Sequence, residues 1–146
     1  MSDEDLVPDS ELIIRRIPPN GTSPTVKPDT NGVLRPTSGM MATRRDEAGL
    51  SCSRKQITSP DVLLSQLGLQ GIDQAGWMVC ELSVADITAL GFEVLICPTD
   101  LDPGHCEIRP TGELAFSKGN CRKLARMARI ISNICRGGTS SELPET

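Results

Sequence analysis

The stretch FEVLICP, from Phe92 to Pro98, is the most continuous apolar run in the chain, and it is closed by Gly91 before it and Pro98 at its end. A run that short is no bilayer span, which needs about 20 apolar residues, and it falls below the length of an ordinary helix. It reads as a buried strand, and its lack of alternation predicts a central place in a sheet. A strand of this kind needs partners, so the question becomes which other segments supply them.

Residues 11–17, ELIIRRI, are rich in β-branched side chains and stop at Pro18 and Pro19, which predicts a strand leaving into a loop. WMVCEL (77–82) is a second strand candidate, and HCEIR (105–109) is placed to return antiparallel to 92–97 across the 98–104 loop. Shorter strands fit near Val33 and over residues 50–53, within a stretch from 18 to 60 that is rich in Pro, Gly, Thr, Ser and Asn. The connection 83–91 is slightly short for a parallel crossover, so the pairing of the strands it joins stays open.

Helix signals are fewer. SPDVLLSQLGL offers Ser59 as N-cap, Pro60 in the first turn, Asp61 at the positive dipole end and Gly68 as the stop. SVADITALG offers a capping box in Ser83 and Asp86, with Gly91 ending the turn. NCRKLARMARIISNICRGG places Cys121, Leu124, Met127, Ala128, Ile131 and Cys135 at helical spacing on one face, with Arg122, Arg126, Arg129 and Arg136 opposite.

These segments predict a single α+β domain over residues 11–136, a small mixed sheet with a C-terminal amphipathic helix, and disordered ends at 1–10 and 137–146. Aromatic residues are nearly absent, with Trp77, Phe92, Phe116 and no tyrosine, so the core must be aliphatic and base-stacking platforms are lacking. A net charge of −4 also argues against a nucleic-acid or membrane partner. The acidic start MSDEDL is unlike a secretory signal, which predicts a cytoplasmic protein with free thiols. Cys80, Cys97 and Cys135 then read as small core residues.

Chemistry centres on His105, the single histidine, which suits acid or base work and has Asp100, Asp102 and Glu107 nearby to orient it. The alternative is a loop fastener bonded to a backbone carbonyl. Cys97, His105, Cys106 and Cys121 are zinc-type donors, but their spacing lacks the paired ligands of a structural site, so no metal is expected. No cofactor is indicated. Strand alternation sends Arg15 and Arg16 to opposite faces, and a guanidinium on the buried face needs a carboxylate or an anionic ligand. With Arg35 and the hydroxyls of Thr37, Ser38, Ser51 and Ser53, either a structural ion pair or an anion site is possible.

The blocks LIIRRIPPN, RPTSG, GLSCS, ELSVADITALGFEV and CPTDLDPGHCEI resemble, in order and across residues 12–112, a group of small bacterial proteins. These carry an Arg-Arg-Ile-Pro-Pro opening, an Arg-Pro-Ser-Ser block and a Pro-x-x-Pro-x-His ending. The resemblance singles out Arg15, Arg16, Pro18, Arg35, Pro36, Ser38, Ser51 and His105 as a set to test together, and it implies no particular reaction. A looser likeness is to arginine-serine-glutamate ADP-ribosyltransferases, through Arg16, Ser51 and Glu81. Together these features predict a binding or enzymatic domain for a small anionic ligand such as a nucleotide. In it His105 and Ser51 are the catalytic candidates, and Arg15, Arg16, Arg35 and Ser38 the ligand contacts. The alternative is an interaction module that meets a protein encoded nearby through Arg122, Arg126 and Arg129.

Overall fold

The computed structural model describes residues 6–21, 23–42, 49–111 and 117–133. Strands β1 (Leu12–Ile17), β4 (Leu50–Arg54), β5 (Met78–Ser83), β6 (Phe92–Ile96), β7 (His105–Pro110) and β8 (Arg129–Asn133) form one sheet in the order β6-β7-β4-β1-β5-β8. Every pairing in it is antiparallel. Strands β2 (Val26–Pro28) and β3 (Leu34–Pro36) make a separate hairpin. Helices α1 (Pro60–Leu69), α2 (Val84–Ala89) and α3 (Lys118–Met127) complete the α+β architecture, and α3 is the expected amphipathic helix near the C-terminus.

Strand alternation divides the core into two layers. Ile13, Ile17, Cys80, Val94, Cys106 and Ile108 pack with Leu124 and Ala125 of α3 and with Met41 on one face. Ile14 and Val79 pack with Leu63, Leu64 and Leu67 of α1 on the other. Arg15 and Arg16 therefore emerge on opposite faces of β1, as the alternation requires.

Several expectations are corrected. Strand β6 is the last strand of the sheet, not a central one. Its apolar run is accounted for by cover on both sides and along its outer edge, where Leu6 bridges Leu95 and Val7 N–H donates to Val94 O at 2.8 Å. The fold thus takes in residues from Leu6 onward, before the boundary expected at residue 11. The final helix stops at Met127, because Ala128 is already extended (φ −89, ψ 148), and Arg129–Asn133 run as a strand on β5. Ile130 joins the α3 layer and Ile131 the α1 layer, a period of two where a helix was read. Cys135, Arg136 and residues 137–146 lie outside the described residues.

Capping follows the residues in part. Ser59 Oγ accepts from Val62 N–H and Pro60 sits in the first turn of α1, as expected. Gly68 lies inside α1 and is not its stop. Gly71 does that work at φ 78, with Ile72 N–H donating to Leu67 O and Gly71 N–H to Gly68 O. Ser83 begins α2 without a side-chain cap, while Gly91 at φ 103 ends the turn. No helix among the described residues is long and apolar enough to cross a membrane.

Two predictions follow from these contacts. A Cβ at Gly71 meets no neighbour, so Gly71→Ala carries only the cost of its left-handed backbone, about 1 kcal/mol, seen as a melting midpoint lower by about 4 °C. Burial pushes the Glu81 carboxyl up, but Lys55 and Arg129 outweigh it and hold the group below the usual carboxylate range. A depressed carboxyl gives stability that is present above its unfolded value and is lost as pH falls through the folded one. Urea melts across the acidic range should therefore show Glu81→Gln less stable at neutral pH and less sensitive to acid than the parent.

Candidate functional site

The ladder between β1 and β4 consists of two pairs, Ile13↔Arg54 and Ile14↔Ser53, whereas β1 pairs with β5 over its whole length. Beyond Ile14 the Arg15 guanidinium takes over from the backbone. Its Nη1 donates to Ser51 O at 2.6 Å and its Nε to Met40 O at 3.0 Å. A cavity of about 520 Å³ lies at this break, and side chains from both faces of the sheet reach it. Arg15, Arg16, Ser51, Ser53 and His105 line it, with Leu63, Gln66 and Trp77 from the α1 side and Asp102 from the loop after β6.

The loop is set by Asp102, which is buried. Its Oδ2 accepts from Ser53 Oγ at 2.5 Å, and its Oδ1 accepts from Thr58 Oγ1 at 2.6 Å and Gly104 N–H at 3.1 Å. Its backbone carbonyl accepts from Thr99 N–H and His105 N–H. Gly104 fits only without a side chain, since a Cβ there would lie 2.5 Å from Thr58 Oγ1. A single carboxylate thus fastens the loop to β4 and to the start of α1.

His105 sits at the start of β7, opposite Ser53. Its Nδ1 is 2.9 Å from the Cys97 carbonyl, an acceptor only, so Nδ1 carries the proton and in the neutral ring Nε2 is left as an acceptor. The carboxylates expected to orient the ring do not bond it: Asp102 is held by hydroxyls and Glu107 by Arg109. His105 is thus tied to the loop through Nδ1, and Nε2 makes no hydrogen bond among the described residues.

Arg16 is the unusual residue. It is half-buried, and among the described residues it makes no ion pair and its side chain makes one hydrogen bond, a long contact of 3.4 Å from Nη1 to Leu63 O. Burial draws its pKa down, with Asp102 opposing the shift and Arg15 adding to it. The structural ion pair weighed from sequence is thus absent for Arg15 and Arg16 within the described residues.

The predicted set divides between two places. Arg15, Arg16, Ser51 and His105 meet in this cavity, and Pro18 lines it as well. Arg35 and Ser38 do not; they line a separate cleft with Arg122 and Arg126. Arg129 leaves that helix face altogether, pairing with Glu81 at 3.2 Å on the sheet. Glu81 does not line the cavity with Arg16 and Ser51, so the arginine-serine-glutamate constellation is not assembled. Sequence reasoning missed Gln66 and Trp77 as lining groups and took Asp102 for a partner of His105. The paired hydroxyls at Ser53 and Thr58 were the available signal for a buried acceptor.

For metal, donor atoms of Cys97, His105 and Glu107 lie within 4.8 Å of one another, in a combination different from the four residues considered from spacing. Cys106 and Cys121 lie in the core, and Cys121 Sγ donates to Met41 O. The core thiols are poor nucleophiles, since burial pushes Cys52 and Cys80 up to about 12 and Cys106 higher still. The Cys97 thiol is raised too, first by burial and then by Glu107, with Arg109 opposing.

No protein-family model, curated protein or solved structure matches the chain.

The Asp102 network generates a sharp expectation. Asp102→Ala leaves Ser53 Oγ, Thr58 Oγ1 and Gly104 N–H without their acceptor, at a cost of about 3 kcal/mol and about 10 °C in midpoint. Asp102→Asn keeps an oxygen for two of the three donors and should lose less than half as much in the same calorimetric scan.

Proposed function

We propose that the protein binds a small anionic ligand, bearing a phosphate or carboxylate group, in the cavity between β1, β4, α1 and the loop before His105. The observation that carries this reading is Arg16, a half-buried cation with no ion pair among the described residues, aimed at a cavity that hydroxyls and an imidazole also line. Desolvating a guanidinium costs stability, Asp102 on the same wall offsets part of that cost, and an incoming anion bonded to Arg16 offsets more of it. Arg15 remains bound to two carbonyls and adds positive potential from the other side of the break.

Ser51 and His105 are among the polar residues of this wall. The Ser51 hydroxyl can donate a hydrogen bond to the ligand, and His105 Nε2, an acceptor in the Nδ1-protonated ring, is the atom through which proton transfer from it would run. His105 is pre-oriented for that task, because the bond from Nδ1 to Cys97 O fixes both its tautomer and its plane. The cavity volume of about 520 Å³ is in the range of small-molecule sites.

Arg16→Gln separates binding from folding. It removes a half-buried charge that has no ion pair among the described residues and only the through-space attraction of Asp102, so the variant should melt close to the parent temperature. A charge-assisted hydrogen bond to a ligand contributes about 1.5–3 kcal/mol, so affinity should fall roughly 10- to 100-fold. The measurement is a thermal-shift screen of both proteins against phosphorylated and carboxylated metabolites. A hit that stabilises parent and variant equally would remove Arg16 from the site, and an Arg16→Gln protein that unfolds would make the arginine structural.

A further inference from the structure

The second cleft, of about 720 Å³, lies between the β2–β3 hairpin and α3. Lys27 and Arg35 form one wall, Arg122 and Arg126 the other, and Asp29 is the one carboxylate among the lining residues. Four cations against one carboxylate give the cleft a charge of +3 in a chain whose net charge is −4. Arg35 is committed to the architecture: its Nε pairs with Asp29 at 2.7 Å and its Nη1 donates to Ala128 O at 2.9 Å, pinning the hairpin to the end of α3. Asp29 in turn accepts from Asn31 and Val33 N–H and shapes the hairpin turn. Lys27, Arg122 and Arg126 make no ion pair among the described residues.

We propose that this cleft is a binding site for an oligophosphate, a chain of two or more linked phosphate groups carried by a small molecule. Arg122 and Arg126 stand one helical turn apart, about 6 Å along the axis, and their like charges repel. One tetrahedral anion meets the wall at a single level, whereas a phosphate chain lying along α3 meets both arginines and reaches Lys27 across the cleft. Thr30, Thr37 and Ser38 add hydroxyl groups to the same lining. Among the described residues no aromatic side chain lines the cleft, so recognition falls on the phosphates and not on a stacked base. This site is separate from the cavity at Arg16, with which it shares no lining residue.

The experiment is calorimetric titration of the full chain with sodium tripolyphosphate, with orthophosphate and poly-glutamate as comparison probes. The parent should bind tripolyphosphate at one site, more weakly as ionic strength rises past about 0.1 M. Arg122→Gln/Arg126→Gln, two exposed positions where glutamine keeps helix propensity, should leave the melting midpoint in place and weaken binding roughly 100-fold. Lys27→Gln should weaken it about tenfold, and Arg16→Gln and His105→Ala should leave it unchanged. No binding by the parent would overturn the proposal, as would full retention by the double arginine variant. Loss of binding in Arg16→Gln would assign the oligophosphate to the other cavity. Equal affinity for orthophosphate would overturn the requirement for linked phosphates, and equal affinity for poly-glutamate the requirement for phosphate.

Discussion

The two-pair ladder between β1 and β4 is the constraint on which the molecule turns. Strand β4 is fully zipped to β7 on its other side and β1 to β5, so neither strand can shift to close the space between them. Backbone carbonyls left at such a break must find donors, because an unpaired buried carbonyl is costly. Arg15 supplies them for Ser51 and for Met40, and so ties the sheet to the 3-10 turn at Ser38–Met41. The cavity is what remains once that clamp is in place. Its neighbour Arg16, sent to the opposite face by alternation, has no equivalent duty.

Ion pairing separates two groups among the basic residues. Arg54 with Glu11, Arg109 with Glu107, Arg35 with Asp29, and Lys55 and Arg129 with Glu81 hold elements together. Arg16, Lys27, Arg122 and Arg126 have no such partner among the described residues, and each lines a concavity. An acidic chain has carboxylates to spare for ion pairs, so cations left without one and gathered in hollows are not accounted for by the fold. Their placement concentrates positive potential at two locations and leaves the remaining surface negative on balance.

Much of this was legible in the residues. Pro18 and Pro19 ended β1 where ring geometry requires it, Ser59 capped α1, and the β6–β7 hairpin formed across the expected loop. Arg15, Arg16, Ser51 and His105, four of the residues singled out from sequence, line one cavity. What the residues concealed was tertiary. ARIISN carries apolar side chains that satisfy a helical and a strand period at once, and the free edge of β5 decides for the strand. The edge position of β6 depends on Leu6 and Val7 arriving from outside the expected domain. Arg35 joins Arg122 only because the hairpin folds over α3, a contact between residues far apart in sequence.

The scarcity of aromatic residues has a further consequence. The chain contains one tryptophan and no tyrosine, so its near-ultraviolet emission comes almost entirely from a single indole. Trp77 is half-buried, packs against the α1 layer and lines the cavity that Arg16 and His105 share, while the basic cleft has no fluorophore in its walls. The protein therefore carries an intrinsic optical reporter for one hollow and is dark at the other, so a change in indole emission on binding points to the cavity beside Arg16.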